Sequence, residues 1–271
     1  MSAFHEKYGH WAVLAGAAEG LGEAYSVALA GRGLNLIMVD HQKEKMGKLA
    51  SRLEKEFAVQ TEQVHLDLAD PGAADSIMEV VRQRGCRLLI YNAAYSRVNG
   101  FLETDAEALD SYIDINCRTP LRLVHSFAGR LAGTGQSGGI MLMSSLAGLI
   151  GMQLVAPYAA TKAFTWNLAE ALHHEFSGHR IDIMACVAGA TATPAYLATD
   201  PQYGWPKPSV LDPAFVANAA LNQLGSKVRY IPGFSNRLNY FILTRLMPRK
   251  MASKVANDTM AKMYGKGTTN Q

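Results

Sequence analysis

Residues 11–33 read WAVLAGAAEGLGEAYSVALAGRG: five apolar residues, then Gly16, Gly20 and Gly22 in GxxxGxG spacing, then a helical pattern. Strand, glycine turn and helix, in that order, build an α/β unit that receives a phosphate at its carboxyl edge. Glycine allows a sharp turn and a close backbone approach, and the helix that follows presents free N–H groups and the positive end of its dipole. The same glycines also suit plain packing. The spacing is not the GxGxxG of most dinucleotide folds, and the Lys-Ser/Thr pair of a P-loop is missing.

Outward from this unit the rhythm repeats. LNLIMVD (34–40), QVHL (63–66), RLLIY (87–91), GIMLMS (139–144), RIDIMACVA (180–188) and KVRYI (227–231) are short β-rich runs separated by longer amphipathic stretches. Strands that are apolar almost throughout are buried on both faces. This predicts a Rossmann-type doubly wound parallel sheet of about seven strands with helices on both sides. With 271 residues, no repeat and no Gly/Ser linker, the chain reads as one domain spanning 1–271. Prolines at 194, 201, 206, 208 and 213 make 191–213 a candidate substrate loop, and 234–271 reads as a basic helical extension.

Composition narrows the function classes. At 49% apolar and 18% charged residues the chain is far from the disordered regime. MSAFHEKYGH lacks the apolar core of a secretory leader, and serines, glycines and a proline break up the apolar stretch 140–157, so a cytoplasmic protein without a membrane span is expected. Cys86, Cys117 and Cys186 are odd in number, widely spaced and set in apolar segments, which reads as reduced thiols with no metal site. Residues 226–271 hold nine Lys or Arg against one acid, Asp258, while the rest has 17 basic and 22 acidic residues, which gives no footing for nucleic acid. In that tail Leu238, Phe241, Ile242 and Leu246 recur at helical spacing, with Arg237, Arg245, Arg249 and Lys250 on other faces. Packing on the same subunit or a partner is expected; an acidic acyl thioester or an anionic membrane surface are the other readings.

Asp40 ends the second strand run, 24 positions beyond Gly16, where an acid meets an adenosine ribose and repels a 2′-phosphate. Glu19 in the loop adds negative charge. Both favour NAD(H); His41 leaves room for NADP, and Asp40 also suits a helix cap. Asp67, beside Leu68, ends the third run, and Asn92, before Ala93 and Ala94, ends the fourth. At that sheet edge Asp67 can bond the adenine amino group while Asn92 and Ala93 line the ribose, or either can serve its own turn. Leu21 completes the glycine loop.

YAATK places Tyr158 and Lys162 four apart, after Pro157, on one face at the start of a helix. A free tyrosine titrates near ~10, and a fixed cation with an oxidised nicotinamide can supply the ~4 kcal/mol that makes it an acid/base at neutral pH. Ser144 and Ser145 end the fifth strand run, at the edge where a substrate oxygen would be held. Asn116 lies within a helix that starts near Asp105, where a kink with a bound water would give it a purpose.

Together these residues resemble the short-chain dehydrogenase/reductase family, over about Trp11 to Thr193. AGAAEGLG is similar to its TGxxxGxG loop, Asp67 to its adenine-site acid and YNAA to its NNAG; Asn116, Ser145, Tyr158 and Lys162 match its tetrad. The resemblance implies an enzyme that interconverts a secondary alcohol and a ketone, 3-hydroxyacyl and 3-oxoacyl substrates included, by hydride transfer with a nicotinamide. Ser145 then polarises the oxygen, Tyr158 moves the proton, Lys162 binds the ribose and lowers the Tyr158 pKa, and Asn116 holds a relay water. VAGATATP resembles PGxxxT, with Gly189 retained, Thr191 within the segment and Thr193 placed for the carboxamide. Pairing through the helices of Asn116 and Tyr158 into a dimer or tetramer is also implied. Ala15, Ala94, Arg87 and Ala188 depart from the family pattern, and the sequence offers no reason for Arg87. Tyr196, Tyr203 and Trp205 are candidate substrate contacts, or lid packing. A regulator that binds a dinucleotide without chemistry is the alternative, and the spacing argues against an epimerase or dehydratase of the extended branch.

Overall fold

The computed structural model describes residues 3–203 and 208–265. Seven strands form one parallel sheet: β1 (Trp11–Ala15), β2 (Asn35–Asp40), β3 (Thr61–His65), β4 (Leu88–Tyr91), β5 (Gly138–Ser145), β6 (Ile181–Ala188) and β7 (Arg229–Tyr230), in the order β3-β2-β1-β4-β5-β6-β7. Chain direction in the order reverses at β1 and β4, the switch point where such sheets open a crevice.

Alternation along β1 shows why this sheet needs two layers of helices. Ala12 and Leu14 face a core built with Tyr25 and Leu29 of α2 (Leu21–Ala30), Leu53 of α3 (Lys43–Phe57) and Val216 of α9 (Pro213–Leu221). Val13 and Ala15 face the opposite core, with Ile77 of α4 (Ala73–Arg84), Phe127 of α6 (Thr119–Thr134) and Trp166 of α7 (Ala156–Glu175). Each fully buried Leu, Ile or Phe of these cores contributes about 1.5–3 kcal/mol.

A short helix not anticipated from the polar N-terminus, α1 (Ala3–Tyr8), closes the amino ends of the strands. Tyr8 donates to Asp182 at 2.7 Å, and Lys7 pairs with the same carboxylate at 2.6 Å. Here Arg87 acquires its reason: its guanidinium donates to the carbonyl oxygens of His5, Glu6 and Ser137 and to the Ser137 hydroxyl, joining α1 to the start of β5.

Between α5 (Ala106–Ile113) and α6 the chain makes one π turn, Asp114–Arg118. After β6 the described residues of the proline-rich segment hold α8 (Pro194–Leu197) and a bridge between Thr191 and Leu211. The C-terminal extension is α10 (Phe234–Phe241), a second π turn (Ile242–Leu246) and α11 (Arg249–Tyr264). The apolar stripe read from its sequence is not the buried one: Leu238, Phe241 and Leu246 are exposed. The extra residue of the π turn shifts the phase, so Leu243 and Met247 face inward with Ile150, Ala252 and Ala256. Arg229 anchors the extension to the body, its guanidinium 4.2 Å from the Trp166 ring centre and 5.2 Å from that of Tyr240.

Candidate active site

The carboxyl ends of β1, β4, β5 and β6 lie side by side, and each delivers one expected residue to the same edge: Gly16, Asn92, Ser145 and Gly189. The glycine loop is closed on itself. A β-carbon on Gly22 would lie 1.9 Å from the Gly16 carbonyl oxygen, and one on Gly16 would lie 2.7 Å from the Ala93 backbone. The loop is pinned from both neighbours: Asp40 accepts from Ala18 N–H at 2.9 Å, and the Asn92 amide donates to Gly16 O at 2.7 Å. Helix α2 starts from Gly20, at φ 61°, with no side-chain cap. The Gly22 N–H donates to Glu19 O at 3.0 Å, and the positive dipole end of the helix is left for an anion at the sheet edge.

Asp40 is buried and works harder than expected, since its second oxygen accepts from Gln42 N–H at 2.9 Å. Glu19 pairs with Lys45 at 3.0 Å, which offsets the loop charge, while the His41 ring is exposed. Asp67 is exposed and accepts from Ala69 N–H at 2.8 Å; the buried Leu68 accepts on its carbonyl from Thr119 at 2.8 Å. Ala94 is exposed at the end of the same crevice. The residues at this edge fit a dinucleotide: an uncapped helix end for the phosphates, carboxylates for a ribose and an adenine, and a lysine farther along.

That lysine is Lys162, buried, donating to the Met143 carbonyl oxygen at 2.8 Å, with its ammonium 5.5 Å from the centre of the Tyr158 ring. Pro157 in the first turn of α7 fixes where the helix starts, and the four-residue spacing does the rest. Burial lowers Lys162 to about 8. Burial also pushes the Tyr158 phenol up, and the hydrogen bond with the Ser145 hydroxyl opposes that rise. Ser145 caps the 3-10 turn Leu146–Leu149, its hydroxyl accepting from Ala147 N–H at 3.2 Å, while Ser144 is committed to the Lys162 carbonyl at 2.8 Å.

Asn116 sits in the π turn and is buried, not a surface asparagine. Its oxygen accepts from Tyr95 N–H at 2.7 Å; its amide donates to Tyr95 O at 2.9 Å and to the Thr161 hydroxyl at 3.0 Å. Thr161, one turn of helix from Tyr158, was not legible as part of the site. Gly189 abuts Asn236 of α10, where a β-carbon would lie 2.5 Å from the amide nitrogen. Thr191 donates to the Gly189 carbonyl at 3.0 Å, and Thr193 caps α8 and packs against Gly20. Tyr203 donates to the Tyr196 hydroxyl at 2.9 Å, so those two phenols pack together in the loop; Trp205 lies outside the described residues.

The sequence matches the short chain dehydrogenase profile over residues 10–203. The chain belongs to the short-chain dehydrogenase family. It is an oxidoreductase acting between CH–OH and C=O, and family neighbours bind NAD(P)H. A 7beta-hydroxysteroid dehydrogenase of Clostridium sardiniense is 29% identical over 234 residues, covering 86% of this chain and 89% of that one. A solved 7beta-hydroxysteroid dehydrogenase structure superposes with a TM-score of 0.84 at 26% identity, over 93% of this chain and 98% of that one. A short-chain dehydrogenase from Sphingobium yanoikuyae in complex with NADPH matches with a TM-score of 0.74 at 26% identity, over 87% and 93% of the two chains. No helix among the described residues of this short-chain dehydrogenase is long and apolar enough to cross a membrane.

Proposed function

We propose that this short-chain dehydrogenase is an NAD(H)-linked enzyme that interconverts a bulky apolar secondary alcohol, of sterol size, with its ketone. The observation that carries this reading is the buried Lys162 ammonium held 5.5 Å from the centre of the Tyr158 ring, with Ser145 opposing the rise that burial imposes on the same phenol. Ser145 donates to the substrate oxygen, and Tyr158 gives it a proton in reduction or takes one in oxidation. Lys162 supplies the positive charge that stabilises the phenolate and a donor for the ribose; Asn116 holds Tyr95 and Thr161 at the proton-exit side. Bound nicotinamide provides or accepts the hydride. Asp40 at the end of β2 supports NAD(H), because a buried carboxylate repels a 2′-phosphate. The 7beta-hydroxysteroid relatives support a large apolar substrate.

The strongly basic α10–α11 region favours one second reading, an acyl thioester whose phosphates it would attract. We further read the enzyme as cytoplasmic and as a dimer or tetramer, the open apolar groove of Leu121, Val124, Leu168 and Leu172 on α6 and α7 supporting the pairing.

The test is purified protein with NAD and NADP against sterol-sized alcohols and ketones, small ketones and 3-oxoacyl thioesters, with Tyr158→Phe as control. Turnover of bulky ketones with NADH, abolished in the variant, is the expected result. Turnover confined to thioesters and weakened by salt moves the assignment to the second reading, and a variant as active as wild type overturns both.

A further inference from the structure

The nine residues between Ser145 and Val155 lie on the path from Ser145 to Tyr158, the two groups assigned to the reacting oxygen, and they form no strand or α-helix. One of them, Leu154, has φ +64°, a left-handed conformation that a β-carbon disfavours and that persists only where the surroundings impose it. What surrounds this segment comes from the far end of the chain. On α11, the Asn257 side-chain oxygen accepts from Gln153 N–H at 2.7 Å and its amide donates to Gly151 O at 3.0 Å, while the Gln153 side chain donates to Asn257 O at 2.7 Å. Asn99 N–H, from the loop after β4, donates to Leu154 O at 2.9 Å on the other side. Beneath these bonds Ile150 packs against Ala252 and Ala256.

The opposite end of α11 reaches the other substrate segment: Gln202 N–H donates to Met263 O at 2.9 Å, and the Thr199 and Tyr264 hydroxyls are 3.1 Å apart. One helix thus holds two loops that no strand holds, the one after β5 and the one after β6.

We propose that Asn257 is a positioning residue that fixes the substrate-side wall 151–154 and so sets the affinity for bulky substrates. The role rests on the reading that Ser145 and Tyr158 hold the reacting oxygen. Asn257 touches neither the cofactor edge nor the tetrad. Its loss therefore affects substrate binding while leaving proton and hydride transfer alone.

The experiment compares Asn257→Ala and Asn257→Asp with wild type, measuring kcat and KM for a sterol-sized ketone and for a small ketone, the Kd of NADH by fluorescence, and Tm. Alanine is a good helix former at this partly exposed site, so the protein folds. For Asn257→Ala, KM for the bulky ketone is expected to rise about tenfold, the loss of two net hydrogen bonds, with kcat, small-ketone KM and NADH Kd unchanged. Asn257→Asp keeps the acceptor for Gln153 N–H and is expected to fall between. An unchanged bulky-ketone KM, or a rise shared equally by the small ketone and NADH, overturns the positioning role while wild-type turnover leaves the functional reading intact. A wild type inactive on every ketone defeats the functional reading and this role with it.

Discussion

The Lys162 ammonium donates to the Met143 carbonyl oxygen at 2.8 Å, one residue before the serine pair that ends β5. Main chain of the central sheet thus holds the cation under the Tyr158 ring. Without a carboxylate partner, burial sets its titration, at about 8 instead of the usual ~10.4.

This displacement has a sign that can be checked in the cofactor-free protein. Between pH 8 and 9 the unfolded chain keeps the lysine proton that the folded chain gives up, so this group makes stability rise with pH, by about 1 kcal/mol per unit. The buried thiols work the other way. Cys117 is pushed up to about 11, and Cys86 and Cys186 to about 12, so the unfolded chain loses those protons first and stability falls. Cys86 and Cys186 act alike on wild type and Lys162→Met; Cys117 feels the Lys162 charge, and losing that charge only raises it further, so between pH 8 and 9 it stays protonated in both folded proteins and the thiols cancel in the difference. The urea-unfolding free energy of wild type is expected to gain on that of the variant as pH goes from 8 to 9; a constant or shrinking difference contradicts the assignment.

Removing the phenol oxygen tests the proton step. Tyr158→Phe keeps the ring and its packing but leaves Ser145 alone to face the substrate oxygen. A loss of about 10²–10⁴ in kcat is expected, with the Kd for NADH within a factor of about two, since the ring itself makes no bond that holds the loop. Stopped-flow hydride transfer and fluorescence titration separate the two quantities.

What could be read without coordinates follows a physical rule. β1, β2, β4, β5 and β6 were legible because burial on both faces leaves an unbroken apolar run. The edge strand β3 was misplaced by about two residues because TEQVH is half solvated. Helix α1 escaped because its stability comes from Tyr8 meeting Asp182, a contact 174 positions away in sequence. The stripe in α10 was misread because a π turn changes the period that the reading assumed. At the site, Tyr158 and Lys162 stand out by their four-residue spacing, while Asn116 and Ser145 join them only through the family resemblance. Their supports were not legible: Met143 and Tyr95 act through backbone atoms, which any residue provides, and Asn257 acts from a region with no motif.

Asn116 gives a prediction in which folding and activity separate. Replacing it with alanine strands the Tyr95 N–H and carbonyl in a buried place and releases Thr161, at a cost of about 2–3 kcal/mol. Asn116→Asp keeps the acceptor for Tyr95 N–H but sets a carboxylate oxygen against Tyr95 O, where a donor had been. Both variants are expected to melt lower than wild type, the aspartate through the cost of burying its charge as well as the lost bond. If Asn116→Ala melts like wild type, the π turn does not depend on these three bonds.

The preference proposed for NAD(H) rests on one carboxylate, because Glu19 is already paired. Glu19 is paired with Lys45, so a 2′-phosphate meets net repulsion only from Asp40. That carboxylate also holds Ala18 N–H and Gln42 N–H, so truncating it would loosen the loop and confound the test. Asn keeps one oxygen for Ala18 and removes the charge. Asp40→Asn is therefore expected to lower kcat/KM for NADH several-fold and to raise that for NADPH by about tenfold, the size of one charge contact near a protein surface. Adding Glu19→Gln frees the Lys45 ammonium for the phosphate, and the double variant is expected to favour NADPH beyond the product of the single effects, because the cation is released only when its partner is gone. Steady-state kinetics with both cofactors at saturating ketone measure this directly. If the single asparagine variant shows no gain with NADPH, Asp40 serves the loop alone and cofactor choice resides elsewhere.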